Sequence, residues 1–281
     1  MPKLSSSQIR DIVKRALAED IGSGDVTSKA IPSSKTCKGK IISKASGIIA
    51  GLCIAELVFE TVDKKVKVKV KVKDGAKVFP GRVLAEVSGP ARSILTAERT
   101  SLNFLQRMSG IATLTRQFVD KVKGTKTRIL ATRKTAPGMR ALDKYAVEVG
   151  GGLPHRMGLF DAILIKENHV DIAGGVKRAI ELARRNSPPM LPVEVEARTL
   201  KEAKEAAEAG ARKILLDNMN VAMLSRAVKL IRSIDKRIRT EASGGINLGN
   251  VAKIARTGID CISIGALTHS PKALDMSLEL K

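Results

Sequence analysis

Aromatic side chains make up only 2% of the 281 residues, with no Trp and one Tyr. Proteins that read single-stranded nucleic acid stack bases on aromatic platforms, so this scarcity argues against that class. Cysteine is nearly as rare. Cys37, Cys53 and Cys261 show no CxxC spacing and cannot all pair. That pattern speaks against a zinc site or a disulfide framework and favours a reducing compartment. Long apolar runs are missing too: residues 47–59 form the longest, about a dozen positions interrupted by Glu56, short of a bilayer span. The opening MPKLSSSQIRDIVKRAL is charged throughout and lacks the apolar core of a signal peptide. A cytoplasmic chain without membrane contact is the expectation.

Apolar residues account for 43% of the chain and charged residues for 28%, a globular balance with room for one large domain or two ordinary ones. Lys and Arg (50) outnumber Asp and Glu (28), leaving a formal charge of +22. Charge alone raises the possibility of a basic nucleic-acid binder, but no recognition motif accompanies it.

Two textures divide the sequence. From about Gly39 to Val87 apolar residues alternate with period two, most plainly in KKVKVKVKVKD (residues 64–74), which predicts a half-buried antiparallel strand with Val inward and Lys outward. Asp74-Gly75, Pro80-Gly81 and Gly89-Pro90 supply turns, and Leu52 to Val62 reads as a helix. From Ala91 a long helical pattern runs to about Val122, with a break expected at Ser109-Gly110. Short apolar runs then alternate with amphipathic segments. The predicted strands are 127–131, 162–165, 192–195, 213–216, 238–241 and 261–264; the helices are 139–149, 173–185, 200–209, 221–234 and 248–256. Such alternation calls for parallel strands joined by right-handed crossovers. The fold class is therefore α/β: a small N-terminal α/β sandwich (residues 1–110, joined by 268–281) and a C-terminal β/α barrel of fewer than eight strands (111–267). An open doubly wound sheet is the competitor, though no GxGxxG follows a first strand.

Chemistry gathers where these strands end. Arg133 and Lys134 follow the first, and Lys166 with His169 the second. Glu196 follows the third, Asp217 the fourth, Ser243-Gly244-Gly245 the fifth and Gly265-Ala266 the sixth. In a β/α barrel all of these meet at one mouth. Arg133, Lys134, His155, Arg156 and Lys166 form a cationic set suited to carboxylates and phosphates. Glu196 and Asp217 offer negative charge to Mg²⁺, to sugar hydroxyls or to a developing cation, and taken singly they also read as helix caps or solvated loop residues. The glycine loops, each ahead of a helix, offer backbone N–H groups to a phosphate. A highly anionic ligand containing a phosphosugar, reacting through a positive centre, is implied.

Several stretches carry a family resemblance: EDIGSGDVTS, SGIIAG, TAERTSLNFLQRMSGIAT, TRKTAPGMRALDKYAVEVGGGLPHRMGLFDAILIKENHV, VEVEARTL, ILLDNM, EASGGI and IGALTHS. Together they resemble quinolinate phosphoribosyltransferase, also called nicotinate-nucleotide pyrophosphorylase (carboxylating), over essentially the whole chain. The resemblance implies the reaction of quinolinate with phosphoribosyl pyrophosphate to give nicotinate mononucleotide, pyrophosphate and CO₂, a step of de novo NAD biosynthesis that uses Mg²⁺. It also implies a homodimer or hexamer. Carried over by motif, Arg133, His155, Arg156 and Lys166 would hold the quinolinate carboxylates, joined by Arg99 from a neighbouring subunit. Lys134 would meet the phosphoribosyl donor, Glu196 and Asp217 its ribose and magnesium, and Ser243, Gly244, Gly245 and Gly265 its 5′-phosphate. Lys166, Glu196 and Asp217 would be the catalytic groups. Molybdenum-associated pyrophosphorylase relatives of uncertain substrate share the fold; the cation set suited to a dicarboxylate favours quinolinate.

Overall fold

A computed structural model describes residues 6–188 and 190–281. In chain order its main elements are α1 (Ser6–Ile21), β1 (Thr36–Ser43), β2 (Gly47–Ile48), α2 (Leu52–Val62), β3 (Lys67–Val70), β4 (Lys77–Val78), β5 (Val83–Pro90) and α3 (Ala91–Lys121). Next come β6 (Arg128–Leu130), α4 (Arg140–Val149), β7 (Ile163–Ile165), α5 (Glu167–Ala173), α6 (Val176–Arg185), β8 (Val193–Ala197), α7 (Leu200–Glu208) and β9 (Lys213–Asp217). The chain closes with α8 (Val221–Ile234), β10 (Arg239–Ser243), α9 (Val251–Ala255), β11 (Cys261–Ser263), α10 (Ala266–His269) and β12 (Met276–Leu280). Two compact units result. One takes the described residues up to Arg116 with Thr135–Gly151 and Leu267–Lys281; the other takes Gln117–Lys134 and Gly152–Ala266.

The first unit is built on an antiparallel sheet ordered β12-β1-β5-β3. The C-terminal strand closes one edge, Ile41 standing opposite Leu278. Helix α2 buries Leu52, Ile54, Ala55, Val58 and Phe59, and Asp74 caps it by accepting from the Gly51 and Leu52 N–H groups at 2.8 and 3.2 Å. The Lys/Val run turns Val66, Val68 and Val72 inward and its lysines outward, as its pattern predicts, but over a shorter paired length. Only Lys67–Val70 pairs, as an edge strand, and Val70 is 40% exposed. A one-neighbour edge gives the inward Val little to pack on, while its Lys residues discourage edge-to-edge association. Lys67 and Lys69, with Lys38, Lys40 and Lys281, line a groove of about 900 Å³ on this sheet, which accounts for part of the +22 charge.

Helix α3 is continuous through Ser109-Gly110. The pair serves packing: the Ser109 hydroxyl accepts from Ala50 N–H at 3.0 Å, and a Cβ at Gly110 would lie 2.2 Å from the Lys272 carbonyl oxygen. Thr135–Gly151 belongs with this unit and is tied in by charge. Fully buried Asp143 accepts from Arg107 Nε and Nη2 at 2.9 and 2.8 Å and from Ala136 N–H at 3.2 Å. Breaking a buried ion pair strands its partner. Asp143→Ala is expected to cost about 3–5 kcal/mol, read as a lower urea midpoint.

The second unit holds a parallel sheet ordered β6-β11-β10-β9-β8-β7. The last strand in sequence pairs with the first and the rest follow in order, so there is no reversal point of the doubly wound kind. This is a TIM-like barrel with fewer than eight strands, flanked by helices. Leu153 adds a bridge to Leu130. Inward and outward residues alternate: Ile214 and Leu216 face the helices, while Lys213, Leu215 and Asp217 share the other side. Thr199 and Asn220 cap α7 and α8 by accepting from Glu202 and Met223 N–H. Helix α5 begins directly at Glu167, where a loop is expected.

Candidate active site at the barrel mouth

Parallel register explains which residues meet. Ile165 lies opposite Val195, so one residue further on Lys166 faces Glu196, and Lys166 Nζ sits 3.2 Å from Glu196 Oε2. Ser243 lies opposite Asp217 at the ends of β10 and β9. Ala131 N–H donates to the Leu153 carbonyl, which starts Pro154-His155-Arg156 alongside Thr132-Arg133.

Arg133 stands close enough to Arg156 for its charge to act on it. Burial pushes the Arg156 guanidinium below its ordinary range and the Arg133 charge pushes it further. The Arg156 Nη1 donates to the Ala162 carbonyl at 3.1 Å. The buried Nε of Arg133 has no hydrogen-bond partner among the described residues. Two adjacent cations, one with a buried donor unspent, leave a deficit that an anion would cancel.

The phosphate-side loop is shaped by backbone conformation. Gly244 and Gly245 take φ values of +90° and +60°, and Asn218 is itself left-handed at +53°. A Cβ at Gly244 would fall 2.0 Å from Asn218 Oδ1. Asn218 is held by its N–H donating to the Ser243 carbonyl at 2.9 Å and by Nδ2 donating to Asp217 at 2.7 Å. Consecutive N–H groups in a turn of this kind can form a backbone nest that suits an anion. The helix expected from residue 248 starts at Val251, because an Asn247–Asn250 turn intervenes, with Asn250 Nδ2 donating to the Gly245 carbonyl at 3.0 Å. Gly265 lies between β11 and the four-residue α10.

Other expected residues are placed as follows. Lys134 is exposed, its N–H donating to Thr132 Oγ1 at 3.0 Å. Arg99 is exposed on α3 of the first unit. The Nδ1 of His169 accepts from Lys166 N–H at 2.9 Å, which makes it a cap for α5. The Nδ1 of His155 accepts from Arg156 N–H at 2.7 Å, and its Nε2 lies 3.5 Å from Glu241 and 3.8 Å from Glu194. Its ring nitrogens thus face protein groups. All three cysteines are free, and Cys53 is exposed.

Three residues of this neighbourhood escape a reading based on strand ends: Glu194, Lys213 and Glu241. The buried Glu241 carboxyl is held down to about 2 because its interactions with His155 and Lys213 outweigh burial. Glu194 is pushed up by burial and by the Glu241 charge. The signal was present in the sequence: Glu194 and Glu241 stand two positions before Glu196 and Ser243, hence on the same strand faces.

Known proteins agree over the full length. The model of the quinolinate phosphoribosyl transferase C-terminal domain matches residues 111–279, and that of its N-terminal domain residues 25–109. The chain belongs to the quinolinate phosphoribosyltransferase family. A quinolinate phosphoribosyltransferase [decarboxylating] of Nicotiana tabacum is 45% identical over 99% of this chain and 84% of its own. A probable nicotinate-nucleotide pyrophosphorylase [carboxylating] of Bacillus subtilis is 41% identical, covering 97% of this chain and 93% of its own. The nicotinate-nucleotide pyrophosphorylase structure from Francisella tularensis superposes with a TM-score of 0.94 at 39% identity, over 99% and 98% of the two chains. Among the described residues no helix is long and apolar enough to cross a membrane.

Proposed function

We propose that the barrel mouth is the substrate site of a decarboxylating phosphoribosyl transfer, in which quinolinate and phosphoribosyl pyrophosphate give nicotinate mononucleotide, pyrophosphate and CO₂. Family membership makes the chain a quinolinate phosphoribosyltransferase; the residue assignments are the proposal. The observation that carries them is the Arg133–Arg156 pair: the Arg133 charge acts on Arg156, and a buried donor of Arg133 is unspent. A pyridine dicarboxylate supplies the two negative charges such a pair needs. Lys166 adds a third cation, and His155 acts from beside Arg156.

The donor takes the other half of the mouth. Lys134 meets its pyrophosphate, and the nest of Ser243, Gly244 and Gly245, with Gly265, takes the 5′-phosphate. Departure of pyrophosphate breaks the anomeric C–O bond and leaves an oxocarbenium-like carbon, whose charge Glu196 and Asp217 stabilise. The pyridine nitrogen forms the new C–N bond. CO₂ then leaves the adjacent ring carbon, the electron pair staying there beside the quaternary nitrogen until the carbon takes a proton. Substrate supplies its own electron sink, so the protein mainly positions anions and neutralises them. Two carboxylates on neighbouring strand ends suit Mg²⁺, which is bound through one or two carboxylates plus substrate phosphates. When bound, the ion neutralises the leaving pyrophosphate.

Incubating the protein with Mg²⁺ and both substrates should yield nicotinate mononucleotide and CO₂ in equal amounts. Absence of product at saturating substrate contradicts the proposal. The proposal includes a cytoplasmic location, supported by three free cysteines; the tobacco relative is named as mitochondrial. It also includes an assembly in which Arg99 reaches a neighbouring subunit's site. Mixing inactive Arg99→Ala and Arg133→Ala chains should then restore about a quarter of the dimer's activity, because half of the dimers pair unlike chains with one intact site each. Mixtures that stay inactive exclude the crossed arrangement.

A further inference from the structure

The interior of a β/α barrel is ordinarily filled by layers of branched apolar side chains. Beneath this mouth one level is ionic instead. Strands β8, β9 and β10 run side by side, with Glu194 opposite Lys213 and Glu241 two residues beyond the Arg239 that also faces Lys213. The side chains of Glu241 and Glu194 are 0% and 8% exposed. Lys213 Nζ lies 3.3 Å from Glu194 Oε1 and pairs directly with Glu241 Oε2. Each buried ion costs several kcal/mol of desolvation, and a well-packed apolar set of equal volume is often as stable. Stability is therefore a poor reason for these charges to be here.

What the cluster faces supplies a better one. Both carboxyl groups turn toward His155 Nε2, which is 3.5 Å from Glu241 and 3.8 Å from Glu194. On the far side of the ring, Nδ1 accepts the Arg156 N–H at 2.7 Å, so it carries a lone pair and the ring hydrogen sits on Nε2. His155 is held at φ +54°, a conformation costing about 1–3 kcal/mol outside glycine, which persists only where its surroundings over-determine it. A carboxylate that fixes the tautomer and orientation of a functional imidazole is a recurrent device of metal and hydrolytic sites.

We propose that Glu241, with Glu194 and Lys213, forms a positioning layer under the active site: it locks the His155 ring, and through its Nδ1 the Arg156 backbone, so that Arg156 is presented to a substrate carboxylate. His155 is then a positioning residue that acts through Arg156. Lys213 keeps the two glutamates together without neutralising both. The proposal rests on the quinolinate reading for the identity of the carboxylate, while the locking of the ring stands on geometry alone.

Two measurements separate these levels. Nitrogen-15 spectra of the wild-type protein should show His155 with hydrogen on Nε2 and a bare Nδ1, and Glu241→Gln should change that signature. Hydrogen on Nδ1 in the wild type, or an unchanged spectrum in the variant, overturns the locking layer whatever the substrate. In kinetics, Glu241→Gln should raise KM for quinolinate at least tenfold and leave KM for phosphoribosyl pyrophosphate within twofold. The apolar triple variant E194L/K213M/E241L, which removes all three charges together so that none is stranded, should do the same and keep a cooperative melt. Equal rises in both KM values, or a quinolinate KM within twofold of wild type, overturn the proposal. A wild-type protein that binds no quinolinate refutes the functional reading instead, and the spectra still decide the layer.

Discussion

Arg133→Ala is expected to lower kcat/KM for quinolinate about a thousandfold and to leave the melting temperature unchanged or slightly raised. The residue follows β6 and its Nε is buried without a hydrogen-bond partner among the described residues, so truncation breaks no such bond at that atom. It also removes a cation whose charge depresses Arg156. Both effects leave the folded state no worse. Against a dicarboxylate the same side chain offers a two-pronged, charge-assisted contact in a partly dry pocket, worth about 4 kcal/mol, or three powers of ten. Activity and stability should thus move independently. Arg133→Lys should recover only part of the loss, since a point charge lacks the planar fork. A variant that melts well below wild type would show the pair to be structural, and one with near-normal kinetics would remove it from the site.

Gly244→Ala should be damaging in both respects. An L-residue at φ +90° is strained by about 1–3 kcal/mol before any contact is considered. The new Cβ would also sit 2.0 Å from Asn218 Oδ1 and 3.0 Å from Asn218 N. Asn218 cannot retreat cheaply, being tied to Ser243 and Asp217. Moving it would release Asp217 and open the nest together. Urea unfolding should show a loss of about 2–4 kcal/mol, and KM for phosphoribosyl pyrophosphate should rise at least tenfold. Gly245→Ala is the internal control: its φ is +60°, but nothing lies within 4 Å of the added carbon, so about 1 kcal/mol of strain is all that is expected. Equal effects at the two glycines would contradict the collision argument.

Much of the barrel was legible in the sequence because each strand is a short apolar run ending at a polar residue, and parallel pairing brings such ends to one side. Lys166, Glu196, Asp217 and Ser243 stand where that logic places them. It failed where a residue's neighbour lies far along the chain. Ser109-Gly110 resembles a helix break, yet the pair exists so that Ala50 and Lys272 can approach α3. The valines of residues 64–74 announce one inward face along the whole run, yet Val70 is exposed because β3 is a four-residue edge. The groups nearest the His155 Nε2, Glu194 and Glu241, come from two other strands, and nothing in the local sequence around His155 shows them. Tertiary neighbours, not local pattern, decide cases of this kind.

The most direct test is a crystal structure of the protein with quinolinate and no phosphoribosyl donor. The carboxylates should lie within hydrogen-bond reach of the Arg133 and Arg156 guanidinium groups, with Lys166 alongside and the pyridine nitrogen turned toward Glu196 and Asp217. Quinolinate bound away from this pair, with Arg133 Nε still lacking a partner, would contradict the account.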